Sequence, residues 1–111
     1  MNNEIRSFQV DQMRVRVFTE KEPMGAAAAE YAAGVITGAI EARGQARIIF
    51  ATGASQFDFL TNLVKKSIAW PRVEAFHLDE YVGIPDTHPA SFRRYLRERL
   101  FDRVKPGAVH L

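Results

Sequence analysis

Phe76-His77-Leu78-Asp79-Glu80-Tyr81-Val82-Gly83-Ile84-Pro85 runs from an apolar segment of strand character into two adjacent carboxylates and then into a glycine- and proline-containing loop. Asp86-Thr87-His88-Pro89-Ala90-Ser91 carries that loop into a further helix. In an open α/β sheet, ligands bind in the crevice at the carboxyl ends of the strands, so a carboxylate pair placed there is a candidate for chemistry. Side chains alternate along an extended strand, so Asp79 and Glu80 cannot both face one pocket. One faces the ligand and the other holds the loop. A carboxylate beside bound substrate can take a proton from a carbon next to a carbonyl, the step that begins aldose–ketose interconversion, and Asp79, nearest the strand end, is the candidate base. On residue type alone a second reading stands beside it: Asp79 caps the loop and Glu80 pairs with an arginine.

Working upstream, Val73 to Leu78 is the strand, and Trp70-Pro71 closes the unit before it. Phe57, Leu60, Leu63 and Val64 recur at helical spacing and predict a helix from about Gln56 to Lys66. Ala46 to Ala51 is a continuous apolar run, expected as a central strand covered on both faces. Between them Thr52-Gly53-Ala54-Ser55 forms a strand-to-helix turn of the kind whose backbone N–H groups converge on an anion. One glycine beside a serine is also an ordinary helix cap, so phosphate binding and capping both remain open here. Further upstream, alanines 26 to 29, Tyr31, Val35, Ile36 and Ile40 place an apolar stripe on a helix that starts after Thr19 or Glu20, admits Pro23 in its first turn and ends at Arg43-Gly44. Gly34 and Gly38 form a Gly-x-x-x-Gly, read as close packing of this helix on the sheet and not as a dimerisation seam. Met13 to Thr19 alternates apolar and charged residues and predicts a half-exposed strand toward a sheet edge. Residues 1–12 are expected to be an N-terminal arm, with the domain occupying 13–111.

Working downstream, Phe92, Tyr95, Leu96, Leu100 and Phe101 mark a helix whose arginines are expected on a solvated outer face. Lys105-Pro106-Gly107 then turns into Ala108-Val109-His110-Leu111, the opening of a further strand. Strand and helix alternating with short links argue for a parallel, right-handed wound sheet. The fold expected is α/β, a Rossmann-like three-layer arrangement with a mainly parallel sheet, of which these residues are the N-terminal portion.

Composition narrows the function. At 111 residues and 47% apolar content the chain has the size of one domain with one core. It has no cysteine, which excludes a disulfide framework and a cysteine nucleophile and suits a reducing cytoplasm. A net charge of +2, with basic residues spread apart from Arg93, Arg94, Arg97, Arg99 and Arg103, is not the concentrated basic face of a nucleic-acid binder. The first residues lack a signal-peptide pattern. The alanine-rich run Met24 to Ile40 contains Glu30 and falls short of the roughly 20 apolar residues of a membrane span. A cytoplasmic protein with neither nucleic-acid nor membrane partner is expected. His77 reads as a core or interface residue, His88 as either a pocket residue or a helix cap, and His110 carries no reading. No spacing of His, Asp and Glu suggests a metal site, and Ser55 lacks the Gly-x-Ser-x-Gly elbow of a serine nucleophile.

Two stretches combine in order: Phe50-Ala51-Thr52-Gly53-Ala54-Ser55, and then Asp79-Glu80-Tyr81-Val82-Gly83-Ile84-Pro85-x-x-His88-Pro89-x-Ser91-Phe92. Together they resemble the glucosamine-6-phosphate deaminase/isomerase family, within the wider group that includes 6-phosphogluconolactonases, over roughly residues 13 to 111. Lactonase relatives tend to carry Asp-Glu-Arg, so Tyr81 and His88-Pro89 favour the deaminase side. The resemblance implies conversion of glucosamine 6-phosphate and water to fructose 6-phosphate and ammonia, with no metal or organic cofactor, in a family that is often homo-oligomeric. It implies that Asp79 is the base for enolisation at C1/C2, that Thr52, Gly53, Ala54 and Ser55 form the phosphate loop, and that Glu80 supports the substrate. The family's loop usually continues Gly-x-Thr-Pro, where this chain has Gly53-Ala54-Ser55-Gln56. Family members are longer, and their ring-opening histidine and basic phosphate ligands lie beyond the stretch matched here, so the chain as given is expected to be inactive. Two other functions are weighed: a sugar-phosphate sensor without turnover, which should carry a helix-turn-helix that residues before 13 do not show, and a 6-phosphogluconolactonase.

Overall fold

A computed structural model describes residues 3–111. Two strands open the chain, β1 (Glu4–Val10) and β2 (Met13–Phe18), paired antiparallel as a hairpin. Asp11 takes the tight turn at φ 51°, a left-handed conformation that Asp tolerates better than most residues. Within residues 1–12, expected as an N-terminal arm, Glu4–Val10 thus forms a strand paired with β2, and Met1 and Asn2 lie outside the described residues. Nothing in the scattered apolar pattern of β1 announces a strand, and what makes it one is the hydrogen-bond ladder with β2 together with the Arg16–Glu4 ion pair at 2.9 Å. The pair forms a sheet of its own and does not join an edge of the larger one.

Helix α1 (Lys21–Arg43) ends as its sequence predicts, with Gly44 at φ 78° returning its N–H to the Ile40 carbonyl at 2.7 Å. Strand β3 (Ala46–Phe50) leads through a 3₁₀ turn (Ala54–Gln56) into α2 (Phe57–Leu63). A second 3₁₀ turn (Trp70–Arg72) precedes β4 (Val73–His77). After the long loop come α3 (Phe92–Leu96), a π-helical turn (Arg97–Phe101), α4 (Asp102–Val104) and β5 (Ala108–His110). Strands β3, β4 and β5 pair in parallel in that order, so β4 is the middle strand. The α/β parallel-sheet arrangement expected from the sequence is therefore present.

One core holds these elements together. It takes Ala29 and Ile36 from α1, Leu60 and Leu63 from α2, Leu96, Leu100 and Phe101 from the last helical segment, and Ala46, Phe50, Val73 and Ala75 from the strands. The strand residues share one face of the sheet, because alternate residues of paired strands line up. The opposite face carries Arg47, Ile49, Glu74, Phe76 and His110, with Ile49 63% exposed. β3, expected to be a central strand covered on both faces, is thus an edge strand of this sheet with one covered face.

Packing of α1 on α2 depends on Gly25, not on Gly34 and Gly38. A Cβ at Gly25 would lie 2.6 Å from the Asp58 Cβ, whereas nothing comes within 4 Å of a Cβ at Gly34 or Gly38. The close packing expected of the Gly-x-x-x-Gly pair is therefore absent among the described residues. Among these residues no helix is long and apolar enough to cross a membrane.

Candidate active site

Parallel pairing of β3 and β4 brings the two chemically interesting stretches side by side. Phe50 lies opposite His77, and the Leu78 N–H extends the ladder by donating to the Phe50 carbonyl at 3.0 Å. Thr52 and Asp79 each lie two residues beyond those paired strand ends, and neighbouring strands run about 4.8 Å apart. The Thr52–Ser55 turn and the Asp79–Glu80 pair therefore leave adjacent points on the carboxyl edge of the sheet, where open α/β sheets hold ligands.

Gly53 makes the first turn possible, with φ 105° and ψ 167°, a conformation that side-chain-bearing residues rarely reach. Its carbonyl accepts two hydrogen bonds, from the Gln56 N–H at 3.0 Å and from the Tyr95 hydroxyl at 2.6 Å. Ala54 and Ser55 are exposed and open the 3₁₀ turn. Their N–H groups belong to the first turn of a helical segment, where no intrahelical acceptor exists.

The two carboxylates have separated. Asp79 is exposed and makes no hydrogen bond or ion pair among the described residues. Glu80 turns inward to the start of α3 and accepts from the N–H groups of Phe92 (3.0 Å) and Arg93 (3.1 Å), the Ser91 hydroxyl (2.7 Å) and the Arg93 guanidinium (2.8 Å). Its own loop adds the Tyr81 N–H at 3.0 Å. Partial burial works against the charge, but the bonds from Ser91, Arg93 and the backbone outweigh it and hold the Glu80 carboxyl well below the usual carboxylate range. Glu80, expected as a substrate contact, thus has both oxygens committed within the chain, satisfying two donors that the helix start leaves without partners. Ser91, 1% exposed, completes the cap by accepting from the Arg94 N–H at 3.2 Å.

Of the five arginines expected on a solvated face, Arg99 and Arg103 are exposed, whereas Arg93, Arg94 and Arg97 fasten the loop. Arg93 donates to the Ile84 carbonyl (2.9 Å), Arg94 to the Thr87 carbonyl (3.0 Å), and Arg97 to the Asp86 carboxylate (2.7 Å). The Arg97 bond and charge keep Asp86 below its ordinary value. His88 accepts the Ala90 N–H at 3.0 Å and so serves the turn into α3, the cap reading of that residue. His77 is half-buried, with Nδ1 3.4 Å from the His110 carbonyl. His110, the last residue of β5, stacks on Phe76 and bonds Glu74 on the open face of the sheet, opposite the face that the helices cover. Tyr81 packs its ring on Phe92 and is otherwise exposed. Sequence reasoning missed Tyr95, whose spacing marks it as core, and the loop-binding arginines, whose composition marks them as surface.

The profile of the family described as glucosamine-6-phosphate isomerases/6-phosphogluconolactonase matches residues 19–111. The chain belongs to this family. Among its relatives, the glucosamine-6-phosphate deaminase of Shewanella halifaxensis (strain HAW-EB4) is 32% identical over 83 residues, covering 71% of this chain and 32% of that protein. The glucosamine-6-phosphate deaminase of Arthrobacter sp. (strain FB24) is 34% identical over 104 residues, covering 88% of this chain and 38% of that protein. In structure, the chain is similar to a 6-phosphogluconolactonase from Shewanella baltica OS155, with a TM-score of 0.78 and 26% identity over 84% of this chain and 40% of that one. The chain thus spans about a third of the length of the curated family members it matches. The family match begins at Thr19, directly after the β1–β2 hairpin.

Proposed function

We propose that this chain supplies the enolisation base and the phosphate loop of an amino-sugar phosphate isomerase/deaminase, acting on glucosamine 6-phosphate. The observation that carries the proposal is the division of labour at the end of β4: Glu80 is consumed by the loop and α3, while Asp79 stands uncommitted next to the glycine turn. Asp79 takes the C2 proton of the open-chain amino sugar, the electron pair forms a C1–C2 double bond, and the C1 carbonyl pair moves to O1, which takes up a proton to give the enolamine. Return of the proton from Asp79 to C1, with loss of a proton from nitrogen, leaves a C2 imine and a C1 hydroxyl. Water adds to the imine, ammonia leaves, and fructose 6-phosphate results. The Ala54 and Ser55 N–H groups, with the Thr52 and Ser55 hydroxyls, hold the phosphate. A general base contributes about 10²–10⁴ in rate. Asp79→Asn in the product of the gene should lower ammonia release by a factor in that range, while calorimetric binding of glucosamine 6-phosphate persists. Undiminished release overturns the assignment. Similarity in structure to the Shewanella baltica lactonase supports a second reading, hydrolysis of 6-phosphogluconolactone, measured by acid release from that substrate.

A further inference from the structure

We infer that Tyr95 is a positioning residue for the phosphate loop, setting the direction in which the Ala54 N–H points. The inference rests on the reading of Thr52–Ser55 as a phosphate loop. In a planar trans peptide the carbonyl and the N–H of one unit point in opposite directions. The Gly53–Ala54 peptide is trans, and its carbonyl is drawn toward α3 by the Tyr95 hydroxyl at 2.6 Å, so its N–H is turned away from α3. Glycine allows several orientations of this peptide at similar energy, and Gly53 sits where only glycine is comfortable. What selects one orientation must therefore come from outside the residue. Two donors on the Gly53 carbonyl provide it, the Gln56 N–H within the turn at 3.0 Å and the Tyr95 hydroxyl at 2.6 Å, and of these only Tyr95, 42 positions away in sequence, ties the orientation to α3.

Tyr95 is itself held. Its ring stacks on Phe57, with centroids 5.8 Å apart and planes at 20°. The Arg99 guanidinium lies 3.7 Å from the Phe57 ring centroid and 5.5 Å from that of Tyr95. Phe57 directly follows the turn, so the three side chains grip it at both ends, at the Gly53 carbonyl and at the first residue of α2. Arg93, Arg94, Arg97 and Arg103 donate hydrogen bonds within the chain, whereas Arg99 makes only these ring contacts among the described residues. Burial raises the pKa of the Tyr95 phenol, with Arg99 opposing, so the hydroxyl remains a donor at neutral pH.

A merely structural hydroxyl would affect stability and leave phosphate binding alone. The test compares the full chain with Tyr95→Phe, which keeps the stack and removes the bond. The two are titrated calorimetrically with inorganic phosphate and with glucosamine 6-phosphate, and the Ala54 and Ser55 amide resonances are followed by ¹⁵N NMR. The expected result is that phosphate moves both resonances in the original protein. Tyr95→Phe should then bind both ligands about five- to tenfold more weakly, the loss of one hydrogen bond, with the Ala54 resonance displaced before any ligand is added. Unchanged affinity in Tyr95→Phe overturns the inference and leaves the loop reading standing. Absence of binding and of resonance shifts in the original protein overturns the loop reading, and the inference with it. Should Tyr95→Phe fail to fold, Phe57→Leu removes the ring that steadies Tyr95; weaker phosphate binding supports the inference and unchanged binding counts against it.

Discussion

Replacing Gly25 by alanine sets two effects of known size against each other. In a helix interior, alanine is favoured over glycine by about 0.5–1 kcal/mol, so on local grounds Gly25→Ala stabilises α1. Packing argues the other way. The new Cβ would lie 2.6 Å from the Asp58 Cβ, 2.8 Å from the Asp58 carbonyl carbon and 2.9 Å from the Phe59 nitrogen. Carbon atoms in contact sit about 3.5–4.0 Å apart, so α1 and α2 must separate by roughly 1 Å. The obstacles are backbone and a side-chain stem, which cannot rotate aside, so the cost falls in the upper part of the roughly 1–3 kcal/mol range for overpacking. Packing wins by about 1–2 kcal/mol. For a domain of this size that lowers the melting temperature by about 5–10 °C. Gly34→Ala and Gly38→Ala are the controls: no atom lies within 4 Å of either new Cβ, so propensity acts alone and each variant gains about 0.5–1 kcal/mol. Thermal and urea unfolding followed by circular dichroism measure all three. A Gly25→Ala protein as stable as the original would refute the packing argument, and loss of stability in Gly34→Ala would restore the Gly-x-x-x-Gly reading. Because α2 follows directly from the Thr52–Ser55 turn, Gly25→Ala should also weaken phosphate binding.

Three further predictions concern the parts that frame the site. Glu80 and Asp86 have folded-state pKa values below their unfolded ones, so between the two values the unfolded chain binds more protons; their stabilisation is present above about pH 4.5 and is lost as pH falls below it. Melting temperature against pH should be level between about pH 5 and 8 and fall below about 4.5, with a shallower fall in Glu80→Gln; an identical slope in that variant would refute the role given to Glu80. Trp70 is buried with an indole N–H that has no partner among the described residues, so Trp70→Phe should shift stability by less than about 1 kcal/mol, whereas Trp70→Ala should cost about 3–5 kcal/mol in urea unfolding. A Cβ at Gly107 would overlap the Pro71 carbonyl oxygen beside the Gly107-to-Trp70 hydrogen bond, so Gly107→Ala should detach β5, seen as faster hydrogen exchange at Glu74, Ala75 and Phe76.

The sequence alone determined the kind and order of the elements from Met13 onward, because that information is local. Period-2 alternation marks β2, helical spacing marks α1 and α2, and Gly44 and Gly53 occupy the positive-φ positions that end one element or turn into the next. It also determined that Asp79 and Glu80 leave the end of a strand. Tertiary structure decided everything that depends on which distant group arrives. Glu4–Val10 is a strand only because β2 pairs with it. The sheet buries one face because the helices of α1, α2 and the last helical segment share one core. Arg93, Arg94 and Arg97 bind loop carbonyls and Asp86, and no composition rule separates such a clamp from a solvated surface. Glu80 is distinguished from its neighbour by the N–H groups of a helix that begins 12 residues later, and Tyr95 is joined to Gly53 across 42. Periodicity records which way a side chain leaves its own element. What it meets there is set by long-range packing, and at this site that packing consumes one carboxylate and leaves Asp79 exposed beside the glycine turn.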